Sequence, residues 1–141
     1  MKAHSVEKIG GTSMSNYAAI RDNIIKKPSK ESTLYQRIFV VSAYGGLTDT
    51  LLEHKKTSQP GIYALFANSL NDDSWHAQLK VVKADMFSIN EDLFGEGALL
   101  DEANQFIGER LDDAEQCLVD LQRLCQHGHF ELSAHPDSWR Y

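Results

Sequence analysis

The run Val6-Glu7-Lys8-Ile9-Gly10-Gly11-Thr12-Ser13 reads as a short strand, a glycine pair and two hydroxyls, and an apolar-periodic stretch follows it. Strand, glycine turn and helix start together present backbone N–H groups to an anion. Gly10 and Gly11 lack a Cβ, so the chain can turn sharply and come close to a ligand. Thr12 and Ser13 add donors, and Lys8 brings a positive charge beside the turn. The assembly suits a phosphate. It is neither G-x-G-x-x-G nor G-x-x-x-x-G-K-[ST], so an ordinary glycine turn stands as the alternative.

A second junction of the same kind follows. Ile38-Phe39-Val40-Val41-Ser42-Ala43-Tyr44-Gly45-Gly46-Leu47-Thr48 again runs from strand to hydroxyl, glycine pair and helix start. In a parallel sheet both junctions open at the C-terminal ends of the strands, where such sheets bind ligands.

Together the two stretches carry a resemblance. Lys8-Ile9-Gly10-Gly11-Thr12-Ser13 resembles the N-terminal signature of aspartate kinases, usually Lys-Phe-Gly-Gly-Thr-Ser. Val40 to Thr48 resembles that family's second motif, Val-Val-Ser-Ala-x-x-Gly-x-Thr, in the right order and at about the right separation. The wording from Val6 to Ser15 is similar to the aspartate kinases that accompany ectoine synthesis. Ile9 replaces the commoner phenylalanine, a change of packing more than of chemistry. Tyr44 and Gly45 stand where the family often has small residues.

Composition agrees with a soluble domain. The 141 residues suffice for one core, with 42% apolar and 24% charged side chains. The net charge of −6 and the lack of a basic stripe argue against nucleic acid, and the acidic balance gives no reason for membrane binding. Cys117 and Cys125 lie eight apart in a helical pattern, not at adjacent-turn distance, so free thiols in a reducing cytosol are expected. No apolar run approaches membrane-spanning length, and Met1 to His4 lacks a signal peptide's apolar core. A cytoplasmic protein is expected.

Periodicity predicts strands at 5–9 and 37–42, with a helix over 15–27 between them, capped by Ser13 or Ser15 and ended by Pro28. The continuous apolar run of the second strand fits a sheet covered on both faces. Thr48 is read as the cap of a helix over 49–56, broken by Gln59-Pro60-Gly61. Helices follow over 62–70, around Tyr63, Phe66 and Leu70, and over 74–86. Trp75, Leu79, Val82 and Met86 lie along one face of the latter. Residues 88–97 read as a loop. The longest helix covers 98–126, with Leu100, Ala103, Ile107, Leu111, Ala114, Leu118, Leu121 and Cys125 facing inward. Gly108 is a local weak point in it, and His127-Gly128 ends it.

Two parallel strands joined through a helix have the length of a right-handed crossover, but they make a poor independent core. Phe130-Glu131-Leu132-Ser133 is a weak candidate for a third strand. The resemblance implies why so few appear. The fold class expected is α/β: the N-terminal fragment of the amino-acid kinase αβα sandwich, with few parallel strands and a large helical portion. Residues 1–141 would be the N-terminal part of that catalytic domain and 49–127 a helical region within it. The family's Gly-Glu substrate motif, later aspartates, nucleotide-binding loops and regulatory domains would lie beyond. The 141 residues alone would then be inactive or nearly so. Homo-oligomers, or exchange of a strand between chains, would complete the sheet.

The activity implied is transfer of the γ-phosphoryl of ATP to the side-chain carboxylate of L-aspartate, with Mg²⁺ as cofactor. A carboxylate acceptor needs no strong base. It needs cations and N–H donors, because two anions must meet. The resemblance makes Lys8 the catalytic cation. It assigns Lys8, Gly10, Gly11, Ser13 and Ser42 to the nucleotide phosphates, and Ser42, Gly46 and Thr48 to the aspartate side. Capping or turn roles stand beside these for Ser13, Ser42 and Thr48. Alternatives for the whole chain are another amino-acid kinase or a non-catalytic helical dimerisation domain. No metal site is expected: Cys125, His127, His129 and His135 read as a solvent-facing helix end rather than a zinc set. Asp72-Asp73 and Asp112-Asp113 read as solvated faces, and Trp75 and Met86 as core.

Overall fold

A computed structural model describes residues 4–26, 36–68 and 73–128. The 130–133 strand candidate, Leu70, Asp72, Pro28, His129 and His135 lie outside them. The chain divides into two compact units, Met1–Thr48 and Asp49–Tyr141. The expected α/β class holds: a small two-stranded parallel sheet and a dominant helical portion.

In the first unit β1 (Ser5–Ile9) pairs in parallel with β2 (Arg37–Val41), from Ser5 opposite Arg37 to Ile9 opposite Val41. The Ser42 N–H extends the ladder by donating to the Ile9 carbonyl at 3.0 Å. The segment after β1 is not one helix over 15–27. It is α1 (Gly11–Met14), α2 (Tyr17–Ile20) and a π-helical turn (Arg21–Ile25). The cap of α2 is neither Ser13 nor Ser15. Asn16 takes that role, its side-chain oxygen accepting from the Ala19 N–H. The helix therefore starts twice, first at the glycine corner and again at Asn16.

Arg37 ties this unit together. Its guanidinium grips both Glu7 carboxylate oxygens at 2.6 Å and donates to the Ile24 carbonyl at 2.9 Å, so the end of the crossover is pinned to the sheet. It also lies 4.6 Å over the Phe39 ring. The Arg37 hydrogen bonds hold the Glu7 carboxyl below its ordinary value of 4.5. A depressed carboxyl pKa contributes stability above that value, and the contribution disappears as pH falls through the folded pKa. Acidification below the ordinary carboxyl range should therefore loosen the β1–β2 ladder. Hydrogen exchange at the Ser42 amide would report it, and Glu7→Gln should remove that acid dependence. An equal acid response in the variant would refute the assignment.

Among the described residues the crossover covers one face of the sheet, where two covered faces were expected. Residues paired in register share a face. Glu7, Ile9, Arg37 and Phe39 lie on the crossover side, where Ile9 and Ile20 are buried. Val6 (67% exposed), Ile38 and Val40 lie on the other face with Lys8. One crossover can cover only one side of two strands.

In the second unit, α4 (Ile62–Asn68), α5 (Ser74–Phe94) and α6 (Ala98–Gly128) supply the core. Phe66 and Trp75 are fully buried, with Leu79, Val82 and Met86 on the same stripe of α5, as the periodicity predicts. α5 does not stop at 86. It runs to Phe94, and Gly95 (φ 65°) closes it through an N–H bond to the Glu91 carbonyl. Asn90, read as loop, is buried and donates to Asn104 Oδ1 at 2.9 Å. Two more pairs cross between these helices: Lys83–Asp112 at 2.6 Å and His76–Glu115 at 2.8 Å. His76, Lys83 and Asn90 recur every seven residues, so the three pairs set one register along the hairpin.

α6 is continuous through Gly108, which packs against Lys83 and Phe87. Its inner face is narrower than expected. Cys125 is buried, but Ala114 and Leu121 are exposed, as are Leu99, Phe106 and Leu124. Both cysteines are free, Cys117 exposed and Cys125 buried. Asp112 and Asp113 are exposed and paired with Lys83 and Arg110. Among the described residues no helix is long and apolar enough to cross a membrane.

Candidate functional site

The first unit brings the two glycine corners together at the C-terminal ends of its strands. The first runs from Gly10 into α1, the second from Ser42 to Leu47. Their backbones touch at Gly11. A Cβ there would come within 2.9 Å of the Ala43 carbonyl oxygen and 3.5 Å of the Gly45 Cα. Only glycine lets the corners approach so closely. Gly46 is needed for a different reason: its φ of +86° suits the turn into α3 (Leu47–Leu51). Gly10 differs from Gly11 and Gly46. Its backbone is extended (φ −77°, ψ 165°), and a Cβ would meet nothing within 4 Å. The fold does not demand glycine there, and the space beside it is open.

The corners are also joined by a side chain. The Gly45 N–H donates to Ser15 Oγ at 3.0 Å, and Ser15 Oγ–H donates to the Gly11 carbonyl at 3.3 Å. Periodicity marks Ser15 only as a possible cap. The one available signal was a hydroxyl four residues after Gly11, within reach of that carbonyl once a helical turn forms.

Several polar groups at this edge are unengaged. The Lys8 side chain is exposed and, among the described residues, its ammonium has neither a carboxylate nor a hydrogen-bond partner. The hydroxyls of Ser13 and Ser42 are likewise exposed and unbonded. The first N–H groups of α1 have no intrahelical acceptor, since its first bond is Met14 N–H to the Gly10 carbonyl. Thr48 is not the N-cap of a helix over 49–56. It lies inside α3, which begins at Leu47 and ends at Leu51. The Gly46 turn starts the helix two residues early, so Thr48 does not cap it, and its exposed hydroxyl has no partner among the described residues.

Tyr44 is half-buried beside this edge, and burial raises its phenol pKa, with the nearby Tyr17 adding to the rise. Behind α1 an open cleft of about 400 Å³ is lined by Thr12, Ser13, Asn16 and Asn23 on its polar side and Ile20 and Ile24 on its apolar side. Thus Lys8, Gly10, Gly11, Ser13, Ser42, Gly46 and Thr48 all belong to the β1–α1 and β2–α3 junctions. Chemically the edge offers a cation, N–H groups without an intrahelical acceptor, and hydroxyls. That set accepts anions.

No family model matches the chain, and no solved structure matches it significantly. Among curated proteins it is similar to the aspartate kinase Ask_Ect of Stutzerimonas stutzeri (strain A1501), with 51% identity over 132 residues. The match covers 94% of this chain and 28% of the relative, so the chain spans less than a third of that protein's length.

Proposed function

We propose that this chain, homologous over nearly its whole length to an aspartate kinase, is the N-terminal part of an amino-acid kinase catalytic domain. The enzyme transfers the γ-phosphoryl of ATP to the side-chain carboxylate of L-aspartate. The observation that carries the reading is the convergence of two glycine corners on one sheet edge, next to a strand-end lysine whose ammonium has no partner among the described residues. Lys8 balances charge gathering on the moving oxygens. Gly10 leaves open space for a phosphate, and the α1 N–H groups with Ser13 donate to it. Ser42, Gly46 and Thr48 form the acceptor side, where a free hydroxyl can orient the aspartate carboxylate.

The residues fit a polyphosphate by their donor set and the close backbone cradle at Gly11. Mg²⁺, when bound with ATP, would supply neutralisation of the phosphate charge. Assignment to the ectoine-associated subgroup rests on the Val6 to Ser15 wording and on the relative's similarity. We also place the protein in the cytoplasm, where ATP and aspartate are at hand. Homo-oligomers or strand exchange would cover the open aliphatic sheet face.

Tripolyphosphate tests the phosphate side without requiring adenosine contacts. It should shift the amides of Gly11, Thr12 and Ser13, and Lys8→Ala should weaken the binding at least tenfold while leaving the β1–β2 ladder intact. Equal affinity in the variant would sink the role of Lys8. In a polypeptide carrying the relative's full length, Lys8→Ala should lower kcat by roughly a hundredfold or more.

A further inference from the structure

We infer that Ser15 is a positioning residue that couples the phosphate corner to the acceptor corner, an inference that rests on the kinase reading of this same site. A serine hydroxyl has one donor hydrogen and two lone pairs. Ser15 spends the hydrogen on the Gly11 carbonyl, four residues before it, and a lone pair on the Gly45 N–H, thirty residues after it, so one oxygen bridges two backbone segments distant in sequence. The bridge lies where the corners already touch. A Cβ on Gly45 would meet Ser15 Oγ at 3.1 Å, the Gly11 carbonyl oxygen at 3.4 Å and the Thr12 Cα at 3.5 Å.

Each corner has its own local reason to form. The first follows from β1 and the start of α1, and the second from the Gly46 turn and the Ser42 ladder bond. Neither reason sets one corner against the other. Phosphoryl transfer depends on that relative placement, because phosphorus and carboxylate must meet in line. Ser15 and Gly45 are both exposed, so an alanine at 15 leaves the Gly45 N–H to water. The loss should therefore fall on coupling rather than on stability.

The test uses the ¹⁵N-labelled 141-residue chain as wild type, Ser15→Ala and Ser15→Thr, with tripolyphosphate as the probe. In wild type, Gly11–Ser13 and Gly45–Gly46 should shift along one binding curve, and the Gly45 amide should be protected from exchange. In Ser15→Ala, Gly45 exchange should rise about tenfold and the second corner should fall silent. The first corner should still respond, and the unfolding midpoint should stay within a degree or two. Ser15→Thr keeps the hydroxyl and should restore the joint response. A second corner that still follows the probe in Ser15→Ala overturns the inference, as does unchanged Gly45 exchange. A lowered midpoint with the joint response intact overturns it too, by showing a structural role alone. If wild type shows no response at either corner while Gly45 remains protected, the phosphate reading itself fails, and the positioning role with it.

Discussion

Phe66→Ala is expected to destabilise the helical unit by about 3–5 kcal/mol, the range for truncating a fully buried aromatic. Phe66 is wholly inaccessible and meets Trp75 edge-to-face, with ring centroids 5.6 Å apart and planes at 89°. The other side of Trp75 is stacked on His76 at 3.6 Å, so the indole cannot slide to fill a hole without losing that contact. Removing the ring thus costs transfer energy, a cavity and an aromatic pair together. One effect works the other way. Trp75 Nε1 is buried and has no hydrogen-bond partner among the described residues, so water entering the cavity gives it one. The loss should then sit toward the lower end of the range. Urea unfolding followed by tryptophan fluorescence would measure it. A loss below about 1 kcal/mol would mean that Phe66 is not the centre of this core.

Gly61→Ala is expected to cost about 3 kcal/mol or more, although the change adds a single methyl group. Its backbone has no positive φ, so conformational freedom is not the reason. The reason is space. An added Cβ would lie 2.5 Å from the Thr50 carbonyl oxygen and 2.6 Å from that of Leu52. These are backbone atoms held in place: the Gly61 N–H donates to the Leu52 carbonyl at 3.0 Å, and Glu53 bridges Pro60 beside it. The Gly61 carbonyl also accepts from Leu65, starting α4. The methyl must therefore open the loop or displace the helix that carries Phe66. Thermal unfolding should show a sharply lowered midpoint and α4 amides losing exchange protection. A near-wild-type midpoint would show that the loop can open without cost.

Much of this was legible in residue order, and the reason differs from element to element. β2 carries a continuous run of β-branched and aromatic residues from Ile38 to Val41, and β1, with only Val6 and Ile9 of that kind, was marked by the glycine corner that follows it. The stripe from Trp75 through Met86 repeats at helical spacing, so its burial could be read directly. The glycine corners stand out because two similar junctions occur in one chain.

The misreadings share a different cause. Asn90 looks like loop until Asn104, fourteen residues on, is seen to satisfy its amide. The breadth of α6's inner face was overestimated because α5 covers only part of the apolar arc, which the pattern of α6 alone does not reveal. Arg37 looks like the polar start of a strand until Glu7 and the Ile24 carbonyl close around it.

Residue order determined the local choices: where the backbone extends, where glycine lets it turn, and which side chains repeat along a helix. These depend on sterics and spacing within a few residues. Tertiary structure alone decided which distant groups meet, setting Gly11 against Ala43, Gly45 against Ser15 and Arg37 against Glu7. Such contacts form only after the parallel ladder brings the two junctions to one edge, and no short stretch of sequence encodes that pairing.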